Sequence, residues 1–366
     1  MKEKINAVFF ANGMRKRMLD ETGGKENLEK VFKLFIGVDK LCKPWDYHRE
    51  FDDKIIDGQK FFEVLDIKDL KKILSEHNIQ YALLVGFAGA LYKKSTKIIW
   101  ELSKRNIQYG YFENRTDLNK IIGIKKTKSF TIRALAARVL KNIYVGFFRF
   151  FISSPKHLFT SYSKKLLFLN KSTKLIPIPH REVFIAKKQP EINPGYRYFV
   201  YLHQPIRQYY DKETSERIFE LIQQSISAIA RKTAFKPIVC LHPNTKEDEL
   251  DYFKQHFFSK KGKTASFCRN AEFLLGHSSI SVNYGYIFKK PAALLDLEHF
   301  KYRNARVKKM AEIHQLPIVK IQGEKLSYFE PVLPSNKKIH SIIGKKFDSG
   351  FRYEEIIGKA IQKMDQ

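Results

Sequence analysis

The sequence predicts an α/β protein of two Rossmann-like domains that face each other across a cleft. Its 366 residues exceed the roughly 100 to 200 residues of an ordinary single domain. Short apolar strand patterns alternate with helical patterns through both halves, which is typical of parallel sheets covered by helices. Proline and glycine punctuate residues 180–195, where we expect the linker between the domains.

The first half contains strand patterns that end at candidate ligand loops. Strands are predicted at residues 7–10, 60–65, 81–85 and 107–112, and helices at residues 67–77 and 91–104. Doubly wound sheets bind ligands in the loops at the carboxyl ends of their strands, which singles out Gly86, Gly89 and Glu113 as an acceptor-side loop region. The alternative is that the glycines only turn the chain.

The second half restarts the alternation after the linker. Strands are predicted at residues 198–202, 237–241 and 292–295, and helices at residues 215–231, 280–288 and 352–364. We therefore place the domains at residues 1–185 and 195–335, followed by a C-terminal segment at residues 336–366.

Residues 118–181 form a one-sided basic segment, with fourteen Lys and Arg residues and no Asp or Glu. Apolar residues recur in it at helical spacing, interleaved with Arg133, Arg138, Lys141 and Arg149. Such a basic amphipathic helix binds the surface of an anionic leaflet. The alternative is a helix that packs between domains and exposes its basic face to solvent.

The composition limits the class of protein and of partner. Hydrophobic residues make up 43% of the chain, which excludes a disordered composition. The net charge of +29 indicates a polyanionic partner: nucleic acid, an anionic leaflet or a phosphate-bearing substrate. The three cysteines stand far apart, the N-terminus lacks a signal-peptide core, and the longest apolar stretch falls well short of the about 20 residues that span a bilayer. We expect a cytoplasmic protein, peripheral on the inner face of the plasma membrane.

Two short motifs in the second half carry the chemistry. His242-Pro243-Asn244 directly follows a predicted strand, and His277-Ser278-Ser279 precedes a predicted helix that leads to Lys290 and the next strand. In a parallel sheet both loops reach the same carboxyl edge, where hydroxyls and helix N–H groups suit a phosphate and a histidine stabilises a leaving phosphate oxygen. The alternatives are a plain His-Pro turn and a Ser-Ser helix cap.

On these motifs, residues 196–297 resemble the nucleotide-binding domain of bacterial GT-B glycosyltransferases of capsule and lipopolysaccharide biosynthesis, especially the sialyltransferase-like and Kdo-transferase-like enzymes. The resemblance implies that His242, Pro243, Ser278 and Ser279 bind the nucleotide and phosphate of a CMP-activated sugar. It also implies that the last helix crosses back to the first domain. Those sialyltransferases take their catalytic base from an acidic pair followed by glycine.

The catalytic base is open, because the nearest match to that acidic motif, Asp57-Gly58, is preceded by Ile56 rather than by an acid. Glu113 and Asp117 are the other candidates. The segment from Ser278 to Glu298 also resembles the polyol-phosphate transferases of teichoic-acid-type polymers, which use CDP-glycerol. Its Asp296-Leu297-Glu298 triplet is a metal-binding alternative that stands too late in the chain.

Other classes lack their motifs. The sequence has no P-loop, dinucleotide fingerprint, nucleophile elbow or zinc-protease motif. A basic nucleic-acid-binding protein is the second alternative, but neither zinc-ligand spacing nor an aromatic RNA-binding motif is present. We therefore predict a metal-independent glycosyltransferase that needs no cofactor beyond its nucleotide-sugar donor, binds no nucleic acid, and extends a glycan or glycolipid acceptor of a bacterial surface polysaccharide or lipopolysaccharide.

Overall fold

The computed structural model divides the chain into two compact units, Met1–Arg181 with Ser349–Gln366, and Glu182–Asp348. It describes residues 4–12, 28–30, 32–39, 55–56, 59–60, 62–64, 66–85, 95–113, 155–160, 173–178, 181–297, 301–322, 325–326, 329–337 and 339. Several predicted sites lie outside the described residues: Asp57, Gly86, Gly89, Asp117, Arg133, Arg138, Lys141, Arg149, Glu298 and the last helix.

The first unit is built on a seven-stranded parallel sheet of order β5-β2-β1-β6-β7-β8-β9. Its strands are β1 (Ile5–Asn12), β2 (Phe32–Asp39), β5 (Phe62–Val64), β6 (Tyr81–Val85), β7 (Gln108–Glu113), β8 (His157–Thr160) and β9 (Lys174–Pro177). A small antiparallel pair, β3 (Ile55–Ile56) and β4 (Gln59–Lys60), accompanies the sheet. The described parts of the basic segment thus include β8, which pairs with β7 and β9, and the edge strand β9, and the periodicity predicted neither.

Among the described residues of the first unit, helices α1 (Ile67–Glu76) and α2 (Ser95–Lys104) cover the sheet. Helix α1 begins with a capping box, in which Asp66 accepts from the backbone N–H of Asp69 at 3.0 Å and Asp69 accepts from that of Asp66 at 3.3 Å. One face of each helix is buried against the sheet, which contributes to a core that includes Leu70, Ile98 and Leu102.

A close approach at Gly110 shapes the interior of this sheet. The Tyr81 hydroxyl lies 2.8 Å from His157 Nδ1, and both side chains are buried. The hydroxyl crosses the position of Gly110 on the intervening strand, because a Cβ atom there would lie 2.5 Å from Tyr81 Oη and 2.9 Å from Phe159 Cε2. Only glycine leaves room for this hydrogen bond.

The second unit carries another seven-stranded sheet, of order β12-β11-β10-β13-β14-β15-β16. Its strands are β10 (Tyr198–Leu202), β11 (Lys236–Leu241), β12 (Phe258–Lys261), β13 (Leu274–Gly276), β14 (Ala292–Asp296), β15 (Ile318–Gln322) and β16 (Lys325–Leu326). All pairings are parallel except the last, between β15 and β16. The prediction of two Rossmann-like α/β domains is confirmed.

Helices lie on both faces of the second sheet. They are α3 (Arg181–Lys188), α4 (Lys212–Thr233), α5 (Glu247–His256), α6 (Thr264–Cys268), α7 (Tyr284–Phe288) and α8 (Lys301–His314), with a 3-10 helix at Ile280–Asn283 before α7. Helix α3 falls in the predicted linker, yet Ala186 packs into the same core as Tyr198. Every residue of β10 is buried, as expected of a central strand covered on both faces.

The strand order fixes where a ligand site belongs. From β10 the chain builds outward to β11 and β12 on one side, then crosses over to β13, β14 and β15 on the other. The order therefore reverses between β10 and β13, and doubly wound sheets bind their ligands in the crevice outside the carboxyl ends of such strands. The first sheet has the same reversal between β1 and β6.

Strand β12 forms one edge of the second sheet and exposes Lys260 and Lys261. Lys261 Nζ donates to Thr245 O at 2.9 Å and lies 3.2 Å from Glu247 Oε1. The edge is thus short and charged.

No described helix combines the length and the hydropathy that crossing a bilayer requires.

Candidate functional site

The candidate site is the carboxyl edge of the second sheet. The register pairs Leu202, the last residue of β10, with Cys240 of β11 and with Gly276 of β13. The loops that begin at His203, His242 and His277 therefore leave adjacent strands at neighbouring levels. Adjacent strands lie about 4.8 Å apart, so these loops share one edge at the reversal of strand order.

His242 begins a tight turn at the end of β11. Its Nδ1 accepts a hydrogen bond from the backbone N–H of Asn244 at 3.0 Å, and its carbonyl oxygen accepts from the N–H of Thr245 at 2.9 Å. With Nδ1 acting as an acceptor, the neutral ring carries its proton on Nε2. The His-Pro-Asn segment is therefore a turn, as the plainer alternative held, and the same turn orients a ring N–H donor.

The serine pair lies where the sequence predicted, at the carboxyl end of β13. Ser278 is buried, and the Ser279 hydroxyl accepts from the backbone N–H of Ser281 at 3.2 Å. Ser279 thus caps a helix, as the alternative interpretation held. The predicted helix 280–288 consists of a four-residue 3-10 turn followed by the five-residue α7, so its dipole is weaker than that of a long helix.

His277 is a correction to the prediction that its side chain binds phosphate. The ring is buried, its Nδ1 donates to Leu295 O at 2.8 Å, and its Nε2 accepts from the Tyr201 hydroxyl at 2.5 Å. Burial raises the pKa of Tyr201 well above its usual value, so the hydroxyl remains a donor. Both ring nitrogens therefore join β10, β13 and β14 inside the sheet.

Lys290 is a second correction. It stands immediately before β14, and the backbone N–H of Leu274, at the start of β13, donates to Pro291 O at 2.9 Å. The hydrogen bond from Arg197 is the main cause that lowers the pKa of Glu272, and the positive charge of Lys290 lowers it further. These residues lie at the amino ends of the strands, because the crossover helix returns the chain to the opposite edge. Lys290 therefore cannot join the serine pair at one phosphate.

Some buried polar side-chain atoms at the carboxyl edge have no hydrogen-bond partner within the protein. Among the described residues, five at or beside this edge have inaccessible side-chain polar atoms with no hydrogen-bond partner: His203, Thr245, Glu249, Asn283 and Asp296. The large majority of buried side-chain polar atoms in native proteins are paired with protein or with ordered water. The edge thus has more hydrogen-bonding atoms than the protein's own donors and acceptors pair with.

His203, Glu249 and Asn283 were not predicted as site residues. A signal for His203 was present, since Leu202-His203-Gln204-Pro205 places a histidine directly after a strand, as His242 follows β11. Glu249 and Asn283 lie within helical turns and have no local signature. In the first unit, Glu113 is the last residue of β7, and this position is at the carboxyl edge of that sheet.

Within the described part of the chain, no three His, Cys, Asp or Glu side chains form a group that could hold a metal ion.

Comparisons with known proteins address the fold. No protein-family model matches the chain, and no curated protein sequence matches it. Solved structures match over its full length. A UDP-N-acetylglucosamine 2-epimerase from Listeria monocytogenes, described as putative, is 11% identical, covers 100% of this chain and 97% of its own, and has a TM-score of 0.52. The complex of S. aureus MnaA with UDP is 10% identical, with coverages of 99% and 97% and a TM-score of 0.50.

A UDP-glucosyltransferase from Polygonum tinctorium aligns at 10% identity over 100% of this chain and 95% of its own, with a TM-score of 0.48. At such identities the comparisons with the first two structures show a shared fold and nothing further.

The serine pair gives a direct test of the edge. We expect Ser278→Ala combined with Ser279→Ala to weaken binding of the donor nucleotide by roughly 1 to 3 kcal/mol, the usual loss for hydrogen bonds to a charged group. Isothermal titration of the nucleotide, together with thermal melting, measures both effects. A double variant that melts earlier but binds with unchanged affinity would restrict these serines to helix capping.

Proposed function

We propose that this chain is a sugar-nucleotide-dependent glycosyltransferase whose second unit binds the phosphates of the donor at the carboxyl edge of its sheet. One observation carries the proposal: the reversal of strand order brings the His242 turn and the Ser278-Ser279 loop to one edge, which is also where buried polar atoms lack partners. The fold shared with the UDP complex of S. aureus MnaA supports a nucleotide ligand for this architecture.

In the proposed reaction the His242 Nε2–H donates to a phosphate oxygen as negative charge develops on the departing nucleotide. An acidic residue of the first unit removes the proton of the acceptor hydroxyl, and Asp57, Glu113 and Asp117 are the candidates. The acceptor is a growing bacterial surface polysaccharide or lipopolysaccharide. The resemblance of the His-Pro and Ser-Ser motifs favours a CMP-linked donor, and the fold neighbours favour a UDP-linked one.

A 2-epimerase is the second candidate. The Listeria monocytogenes structure is described as a putative 2-epimerase, and the S. aureus MnaA structure is a complex with UDP. The two reactions differ in their products. An epimerase changes the configuration at C2 of UDP-N-acetylglucosamine without an acceptor, whereas a transferase releases nucleotide only when an acceptor hydroxyl or water takes the sugar.

The deciding experiment has two stages. The purified protein is first melted with CMP, CDP, UDP and GDP, since a ligand that binds only the folded state raises the melting temperature. A sugar linked to the nucleotide that binds is then incubated with the protein, with and without a bacterial glycolipid fraction. The reaction is followed by proton NMR. Acceptor-dependent release of nucleotide supports transfer, and inversion at C2 without acceptor supports epimerisation. If none of the four nucleotides raises the melting temperature, the proposal is wrong.

We expect activity to survive EDTA, because a histidine N–H and backbone donors would neutralise the leaving phosphate in the proposed reaction. Turnover measured after dialysis against EDTA should remain within about twofold of the untreated enzyme. Loss of turnover that Mg²⁺ or Mn²⁺ restores would instead assign a role to Asp296 and Glu298.

We also propose that the protein is cytoplasmic and binds the inner face of the membrane through the basic segment 118–181. It should sediment with vesicles that contain anionic lipid and be released by salt, because screening acts within about 10 Å at 0.1 M ionic strength. Replacing Arg133, Arg138, Lys141 and Arg149 with glutamine should weaken vesicle binding by roughly two to three orders of magnitude at that salt concentration, because each charge near the surface contributes about 1 kcal/mol.

The matched control replaces four lysines of the same segment that lie outside the predicted helical stripe, Lys164, Lys165, Lys171 and Lys174, and so removes equal charge. Equal losses in the two variants would show that net charge alone drives binding. Duplex DNA that displaces the protein from vesicles at nanomolar concentration would favour the nucleic-acid-binding alternative.

A further inference from the structure

A buried pair of ionisable side chains lies beneath the candidate donor site. His203 and Glu249 are both fully inaccessible in their side chains, and His203 Nε2 lies 2.8 Å from Glu249 Oε1. The same carboxylate oxygen accepts the backbone N–H of Ile206 at 2.8 Å. Burying a carboxylate is unfavourable unless hydrogen bonds replace its water, so these two donors are what allow Glu249 to remain in the interior.

The pair joins two loops of the candidate edge. His203 is the first residue after β10, and Glu249 lies in the first turn of α5, which follows the His242 turn. Two further contacts connect the same loops: Gln208 Nε2 donates to Asn244 O at 3.1 Å, and Arg207 Nε lies 3.1 Å from Asp248 Oδ2. Glu249 is the buried member of this group and contacts the 203–206 segment twice.

The connection reaches the ring of His242 through the backbone. The N–H group of Asn244 donates to Nδ1 of that ring, and the N–H group of Thr245 donates to the backbone carbonyl oxygen of His242. Asn244 is in turn held by Gln208 from the loop after β10. A change in the conformation of residues 203–208 therefore moves the atoms that orient the His242 ring.

The pair is also incompletely satisfied, which a purely architectural role does not explain. His203 Nδ1 and Glu249 Oε2 are inaccessible and have no hydrogen-bond partner within the protein. A well-packed pair of apolar side chains would fill the same space without this penalty. Sites of function are where proteins tolerate such costs.

We propose that Glu249 is a positioning residue of the donor site, which holds the loops after β10 and β11 together and so fixes the ring of His242 in its donor orientation. The assignment rests on the proposed function, in which the His242 ring donates a hydrogen bond to a phosphate of the donor. Glu249 itself does not touch the ligand.

The first arm of the test needs no ligand. Amide hydrogen exchange of Asn244 and Thr245 should accelerate about tenfold or more in Glu249→Ala, because their acceptors on His242 become mobile. The amide of Ser281, which donates to Ser279 on a loop that Glu249 does not contact, should change less than about twofold. Glu249→Gln is the second variant, for use if Glu249→Ala fails to fold. It preserves the size of the side chain and the accepting oxygen, so the same amides should exchange faster than in the wild type, but by a smaller factor than in Glu249→Ala.

The second arm measures binding of UDP and CMP in a double-mutant cycle. Glu249→Ala should weaken nucleotide binding about tenfold in the wild-type background and less than about twofold in the His242→Ala background, because the two residues act through one contact. Asp251→Asn is the matched control: it lies two residues away on the same helix, is exposed, and pairs with Lys254 instead of the loop after β10. It should leave exchange and affinity unchanged.

The outcomes separate the two proposals. Unchanged exchange of Asn244 and Thr245 in both Glu249 variants, or additive losses in the cycle, would overturn the positioning role. If neither UDP nor CMP binds the wild-type protein, the proposed function fails, and the exchange measurement alone still decides whether Glu249 fixes the His242 turn.

Discussion

Replacing His242 with alanine is expected to lower kcat/KM about 100- to 1,000-fold while leaving the fold intact. The loss corresponds to one preorganised donor that acts on developing negative charge. The fold should persist because His242 is half-buried in a loop at the end of β11, outside the buried clusters of the second unit. Nucleotide release measured with the preferred donor, beside circular dichroism and thermal melting, tests both parts.

The matched control is His256→Ala. His256 belongs to the same unit but is exposed at the far end of α5, where its Nδ1 lies 3.1 Å from Gln223 Nε2. It should retain full activity. Wild-type turnover in the His242 variant would remove this histidine from the mechanism and leave the turn as an element of structure alone.

Gly110→Ala is expected to destabilise the first unit by about 2 to 4 kcal/mol. The added methyl group would lie 2.5 Å from Tyr81 Oη and 2.9 Å from Phe159 Cε2, and both of these side chains are fully buried. Overpacking contributes about 1 to 3 kcal/mol, and loss of the Tyr81–His157 hydrogen bond about 1 kcal/mol more. Both tryptophans of the chain, Trp45 and Trp100, belong to this unit, so denaturation followed by tryptophan fluorescence reports its unfolding selectively.

A second substitution identifies the contact responsible. Tyr81→Phe removes the hydroxyl that approaches the new methyl group, so the double variant Tyr81→Phe/Gly110→Ala should recover part of the stability that Gly110→Ala loses. Equal stability of Gly110→Ala and wild type would show that the neighbouring strands move apart at little cost to accommodate the methyl group.

Much of the fold follows from the periodicity of the sequence. The apolar runs at 198–202, 237–241 and 292–295 became β10, β11 and β14, because a central parallel strand is buried on both faces and therefore reads as a continuous apolar segment. Strands of three or four residues, such as β13 and β8, carry too few positions to show a period. Strand order depends on long-range pairing and has no local signal.

Position in the sequence, relative to the predicted strands, was enough to predict which edge of the sheet carries His242 and the serine pair. His242 directly follows β11 and Ser278 lies two residues after the end of β13, so their edge could be inferred. His277 continues the alternation of β13 from Leu275, and that alternation places its side chain on a buried face. Lys290 precedes a strand and so belongs to the opposite edge. Glu249 stands 46 positions from His203, and only the fold brings the two together.

The charged edge of the second sheet bears on how concentrated this protein can become before it associates. An unpaired strand edge is a template onto which a second chain can add its own strand. Lys260 is exposed on this edge, so an identical strand that paired with it would bring further lysine charge to the same edge. The repulsion between these charges opposes edge-to-edge assembly of identical chains.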